Sequence, residues 1–163
     1  MIEHPISPVF DEHSEVLILG SFPSVKSREE GFFYGHPANR FWKVTAAVFG
    51  EEEPKTVTEK QAFLLKNHIA VWDVIQSCDI AGSSDSSIKN VTANDLKVIL
   101  QQAEIRQIYV NGKKAAQLYQ RYIYPQIQRE AYCLPSTSPA NATWSVPRLI
   151  EAWKCIKEKG NII

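Results

Sequence analysis

A chain of 163 residues, 44% hydrophobic and 22% charged, has the size and composition of one globular domain with a real core, expected to span residues 1–163. Its 18 basic residues balance 18 acidic ones, which argues against a broad basic grip on nucleic acid but not against an enzyme touching a few phosphates through hydroxyls and amides. No apolar run reaches bilayer-spanning length, and Met1-Ile-Glu-His-Pro5 carries no signal-peptide pattern, so no membrane partner and a cytoplasmic location are expected.

In chain order, four short apolar or β-branched runs predict strands: Val16–Leu19, Ile69–Val74, Gln107–Val110 and Ala131–Leu134. Segments of helical period separate or follow them. Asn39–Phe49 sets Phe41, Val44 and Val48 on one face and stops at Gly50. Thr58–Asn67 has a Thr start and an Asn stop. Thr92–Gln102 opens with a capping-box-like Thr-Ala-Asn-Asp, Lys113–Tyr122 follows Asn111-Gly112, and Ser145–Lys157 carries an apolar stripe. Strands alternating with helices predict an α/β fold, a three-layer α/β/α sandwich around a short, mainly parallel four-stranded sheet.

Cys78, Cys133 and Cys155 are odd in number and widely spaced. They read as reduced thiols, with no disulfide framework and no metal site. Three loops at predicted strand ends carry the candidate chemistry, because open parallel sheets bind ligands at their carboxyl edge. The first runs from Gly20 to Asn39, the second from Cys78 to Ile88, and the third from Pro135 to Asn141. All are rich in Ser, Asn and Pro, and they offer neutral hydrogen bonds and backbone amides instead of strong acid–base pairs. Aromatic faces beside such groups suit a planar polar heterocycle.

The block His36-Pro-Ala-Asn-Arg-Phe-Trp-Lys-Val44, with Gly20-Ser-Phe-Pro-Ser24 before it and Pro135-Ser-Thr-Ser-Pro-Ala140 after it, resembles the uracil-DNA glycosylase superfamily. Phe22 stands where the mismatch-specific uracil/thymine branch has its catalytic asparagine, and Ser136 stands where a His or Asn usually faces the base. These departures, the Ser84-Asp-Ser-Ser-Ile88 loop and the Ser-Thr-Ser-Pro-Ala-Asn segment are similar to the hypoxanthine-DNA glycosylase branch. The resemblance implies a uracil-DNA glycosylase-like fold and a monofunctional glycosylase that needs no cofactor. Its substrate would be DNA with deaminated bases, hypoxanthine first and uracil in G:U mismatches second. The expected state is a monomer, followed by enzymes that process abasic sites.

Residue by residue, the resemblance implies Asn39 as the catalytic group. Ser21, Phe22, Tyr34, Asp85 and Ser136 would bind the base, and Ser24, Ser138, Pro139, Ala140 and Asn141 would meet DNA. A glycosylase must flip its nucleotide into a tight pocket, then stabilise an oxocarbenium-like sugar and a departing base anion. The amide of Asn39 is no strong base, but it can orient water or donate to the base. It can equally be the N-cap of the helix it precedes. Tyr34 reads either as a stacking face or as core, and Asp85 either as a base reader, a water holder or an ordinary turn residue. The competing function is a binding domain that recognises a nucleotide or damaged base without hydrolysis; a hydrolase of free nucleosides is a third.

Overall fold

The four apolar runs all become strands of one parallel sheet. The computed structural model describes residues 1–158. Its strands are β1 (Ile2–Glu3), β2 (Val16–Gly20), β3 (Ile69–Asp73), β4 (Ile75–Asp79), β5 (Lys89–Ala93), β6 (Gln107–Asn111) and β7 (Ala131–Leu134). The main sheet has the order β3-β2-β6-β7, and its neighbours are all parallel. Every residue of β2 and β3 is buried, with no alternation. A strand with no wet face needs cover on both sides.

Helices supply that cover. They are α1 (Val25–Glu30), α2 (Phe41–Val48), α3 (Val57–Lys66), α4 (Lys97–Leu100), α5 (Lys113–Leu118), α6 (Tyr124–Ile127) and α7 (Val146–Trp153). A single π turn, Tyr119–Ile123, joins α5 to α6. Helix α2 packs against α7, α3 against β3, and α5 against β6 and β7. The stripe on α7 buries Leu149 and Trp153 completely, and Ser145 caps the helix by accepting from the Arg148 amide. Helix α3 begins slightly earlier than its predicted Thr58 start. Thr56 and Glu59 form a reciprocal capping box there.

Two expectations are corrected. The second loop does not begin at Cys78, because Ile75–Asp79 is β4, the centre of a separate antiparallel sheet β1-β4-β5. The predicted helix Thr92–Gln102 is largely not helical: its first residues close β5, and only Lys97–Leu100 forms α4. Asn94 decides the matter. Its side chain donates to the carbonyls of Asp73 (2.9 Å) and Ile75 (3.1 Å), and its amide donates to Val74 O (2.8 Å). Tied to the β3–β4 junction, this residue cannot serve in a helix, and Asp95 instead caps the shorter α4 through the Lys97 amide.

Candidate active site

The carboxyl ends of β2, β3, β6 and β7 open onto one cleft of about 310 Å³. Ser21, Phe22, Ser24, Tyr34, Asn39, Asp85, Ser136, Ser138, Pro139 and Ala140 all line it. Asn141 does not. It sits behind the third loop, donating to Ser136 O from its side chain (3.0 Å) and to Ser138 O from its amide (3.0 Å).

Two glycines let the walls approach. A Cβ on Gly112, which has φ +95°, would meet Ser136 Cβ at 2.9 Å, so the end of β6 and the third loop touch only because that position is bare. A Cβ on Gly20 would lie 2.5 Å from Asp73 Oδ1 and 3.3 Å from the Tyr34 hydroxyl. Only a bare position leaves room there for the Asp73 carboxylate.

Asn39 lies at the start of α2, and both roles weighed for it have a physical basis here. Its Oδ1 accepts from the Phe41 amide (2.9 Å), as a capping side chain would. The same oxygen accepts from Thr137 Oγ1 (2.9 Å). Thr137 is fully buried and is itself fixed by Asn111, whose Nδ2 donates to Thr137 Oγ1 (3.0 Å) and whose Oδ1 accepts the Thr137 amide (3.1 Å). Backbone N–H groups only donate, so the amides of Phe41 and Thr137 settle which way each carboxamide turns. Both lone pairs of Asn39 Oδ1 are taken. Among the described residues nothing accepts from its Nδ2, so the end of Asn39 left for a ligand is a donor.

Arg40 braces the third loop. Its Nη2 donates to Ser138 O (2.9 Å) and Asn141 O (3.0 Å), its Nη1 to Trp144 O, and its backbone amide to Thr137 O (3.1 Å). A planar guanidinium with five N–H groups suits this task as an ammonium would not. Within the loop, Ser136 Oγ accepts from the Ser138 amide (3.1 Å) and Ser138 Oγ from the Ala140 amide (3.2 Å).

Across the cleft, Ser21 Oγ donates to Asp85 Oδ1 (3.1 Å). Asp85 is solvent-exposed at the mouth, and the cleft walls desolvate it only in part. This partial desolvation raises its carboxyl above the usual range, against the Ser21 hydrogen bond and the charge of Lys114, which lower it. Ser24 caps α1 by accepting from the Ser27 amide (3.1 Å). The second loop docks on α1 through Ser83 Oγ, which accepts from the Val25 amide (2.9 Å), and through Gly82 O, which accepts from Arg28 Nη2 (2.6 Å).

The aromatic groups are partly committed to the protein. Tyr34 stacks one face on Phe41, with ring centres 4.0 Å apart. Its hydroxyl is buried, with the Asn111 side chain as a hydrogen-bonding neighbour. Burial, reinforced by the charge of Asp73, pushes that hydroxyl far above its ordinary pKa and keeps it an O–H donor. Phe22 is nearly buried, with the Arg28 guanidinium 5.6 Å above its ring.

Sequence reasoning missed Asp73, His4, Asn111, Thr137 and Arg40 as parts of the site. Asp73 had a local signal, since it is the one carboxylate inside the run Ile69–Val74. His4 had none, because only the fold brings it beside Asp73.

The sequence pattern of the uracil DNA glycosylase superfamily matches residues 7–157. A Methanosarcina acetivorans protein named hypoxanthine DNA glycosylase is 35% identical over 162 residues, covering 96% of this chain and 98% of its own. A protein of the same name from Methanosarcina barkeri is 34% identical over 112 residues, covering 68% of this chain and 71% of its own. The solution NMR structure of a Methanosarcina acetivorans protein assigned to uracil DNA glycosylase superposes with a TM-score of 0.81 at 34% identity, covering 96% of this chain and 97% of that one. A match of this length, with the cleft at the same sheet edge that carries the His36–Val44 block, means that the chain belongs to the uracil DNA glycosylase superfamily.

Proposed function

We propose that this hydrolase of N-glycosyl bonds excises hypoxanthine from DNA, and uracil from G:U mismatches more slowly, as a step of base excision repair. The observation that carries the reading is the free Nδ2 of Asn39, held in the cleft by two hydrogen bonds to its own oxygen. The names of its two Methanosarcina relatives support the choice of base.

In this reading the target nucleotide leaves the stack and its base enters the cleft. The third loop, with Ser138, Pro139 and Ala140 at the mouth, and Ser24 across from it, meet the DNA. The flat faces of Phe22 and Tyr34 confine the base, and Ser136 lines the pocket wall against it. The C1′–N bond breaks with its electron pair going to the base, while positive charge grows on the sugar. Asn39 Nδ2 donates to the base as it becomes an anion. A preorganised donor of this kind acts where charge develops and needs no reorganisation at the moment of reaction. With both lone pairs of Oδ1 occupied, Asn39 does not hold the water. Asp85, steadied by Ser21, is the anionic group that faces the sugar and positions the incoming water, which adds to C1′ and delivers its proton toward the departing base. The products are a free base and an abasic site, which abasic-site processing enzymes would consume.

The test is a panel of duplex oligonucleotides carrying one hypoxanthine, uracil or xanthine, treated with protein and then with alkali. Hypoxanthine is expected to be cut fastest. No cleavage of any duplex at ample protein would overturn catalysis and leave a binding domain.

A further inference from the structure

A protein with no net charge has few cations to offer a polyanion, so what each arginine near the cleft holds is informative. Arg40 gives its guanidinium to the carbonyls of Ser138, Asn141 and Trp144. Arg28 gives its own to the carbonyls of Gly82 and Ser24. Arg148 is different. It lies in the first turn of α7, which follows the third loop and so starts at the carboxyl edge of the sheet, where the cleft opens. The residue is exposed, and its guanidinium carbon sits 4.1 Å from the centre of the Trp144 ring. Of its five N–H groups the described residues engage one, Nη1 on Thr143 O at 3.4 Å. Among the described residues no carboxylate pairs with it; Glu151, one turn along, is taken by Lys154 at 2.7 Å. Trp144 is itself fixed. It is half-buried, its carbonyl accepts from Arg40 Nη1, and its amide donates to Asn141 O (3.2 Å). The brace that shapes the third loop thus also places the indole beneath Arg148.

We infer that Arg148, preset on the Trp144 ring, is a phosphodiester site outside the cleft, which holds the DNA backbone alongside the third loop. This rests on the glycosylase reading above, in which that loop meets DNA. A free arginine samples many rotamers and loses that freedom on binding. Stacked on an indole it has already lost much of it, while its edge N–H groups stay free to bond two oxygens of one phosphate. A neutral protein gains from such a group, because a preset cation beside the loop adds an attraction that overall charge does not provide. The contact is to backbone, so it carries no information about the base. It should strengthen binding of damaged and undamaged duplexes alike, and leave the chemical step alone. Arg121 offers similar chemistry in another place. Its guanidinium lies over the Tyr122 ring at 5.2 Å, but in the π turn beyond the end of α5, a helix that runs back from the carboxyl end of β6. That position is remote from DNA seated on the cleft.

The salt dependence of duplex binding tests the assignment. Fluorescence anisotropy of a labelled, undamaged duplex at several salt concentrations gives the slope of log K against log salt for wild type, Arg148→Ala, Arg148→Lys and Arg121→Ala. Loss of one phosphate contact makes that slope shallower by about 0.9 and weakens binding at low salt by about fivefold. Arg148→Ala should show both, and on a hypoxanthine duplex it should raise KM by a similar factor with kcat within about twofold. Arg148→Lys should keep the slope but bind about twofold more weakly, since the charge stays and the stack goes. Arg121→Ala should bind as wild type does. If Arg148 only shields Trp144, Arg148→Ala lowers the melting temperature and leaves the slope where it was, which overturns the inference. An equal loss in Arg121→Ala overturns it too, because the effect is then one of overall charge. Failure of the glycosylase reading looks different. A wild type that binds the duplex with a slope that Arg148→Ala reduces, yet cuts no hypoxanthine, keeps the phosphodiester site and rejects the catalysis. A wild type that binds no duplex at any salt overturns both.

Discussion

On one wall of the cleft, residues 135–141 are held by Arg40 and by the chain Asn111–Thr137–Asn39, with Thr137 fully buried beneath them. On the other wall, residues 81–88 are half-buried or exposed and are held at two contacts with α1, through Ser83 and Gly82, and by hydroxyls bonding within the loop. On the proposed function, the first wall fixes the atoms that would touch the base. The second presents one anchored carboxylate, Asp85, in a setting that a passing strand can reshape. Catalytic groups must hold their geometry closely, whereas a surface that admits DNA gains from local adjustability. The difference between the walls is thus a division of labour, and substitutions on each should have different signatures.

The largest effect is expected on the first wall. Asn39→Ala removes the free donor and should lower kcat by two to three orders of magnitude, the usual cost of losing one preorganised donor, at about 1 kcal/mol in stability for the lost cap. Asn39→Asp is the sharper probe. It keeps two acceptor sites for the Phe41 amide and Thr137 but replaces the NH₂ with an oxygen. It should fold nearly as well as wild type and be as inactive as the alanine variant. Activity in Asn39→Asp, measured by alkali cleavage of a hypoxanthine duplex, would show an acceptor at work and break the donor reading.

Arg40→Lys comes next. It keeps the charge but loses the fork, leaving the loop carbonyls of Ser138, Asn141 and Trp144 without their shared donor. A cost on the order of 3 kcal/mol is expected, or roughly 9 °C in Tm for a chain of this size. Activity should fall about tenfold through misplacement of Thr137 and hence of Asn39. A variant that unfolds at the wild-type temperature would mean that the third loop holds itself.

These cases show which parts of the molecule were legible in sequence. The four strands of the main sheet were read because burial on both faces writes an unbroken apolar run such as Val16-Leu-Ile-Leu19. Strands β4 and β5 were not, since Gln76 faces solvent inside one and the other is largely exposed, with Asn90 at φ +55°. Thr92 misled because its hydroxyl and the following Asp imitate a helix start, while Asn94, bonded to residues 73–75, sets the true boundary. The cleft walls were legible as loops at strand ends. The supports behind them were not: Arg40 to Ser138 and His4 to Asp73 are links between residues 98 and 69 positions apart, which only the folded topology creates.

Asp85→Asn moves to the looser wall and should cost about tenfold in kcat/KM. Burial raises the Asp85 carboxyl, so the acid limb of the wild-type pH profile should lie above the ordinary carboxylate range and be absent from the variant. The stability sign is opposite to that of a salt-bridged carboxylate. A folded-state pKa above the unfolded one stabilises the protein in acid, and this contribution is lost as pH rises through the raised value. Asp85→Asn should therefore be more stable than wild type at pH 7 and lose that advantage at pH 3, as thermal melts at the two pH values would show.

The smallest effect should come from the docking of the second loop on α1. Ser83→Ala removes one exposed hydrogen bond to the Val25 amide, a group that water reaches once the hydroxyl is gone. A replaceable bond of this kind is worth about 0.5–1 kcal/mol. Turnover on hypoxanthine should stay within about twofold, because Ser21 still holds Asp85. The readout that moves is substrate affinity: a loosened loop must be ordered again when DNA binds, and that entropy appears in KM and not in kcat. A drop in kcat matching that of Asn39→Ala would place the second wall in the same rigid unit as the first and dissolve the distinction between them.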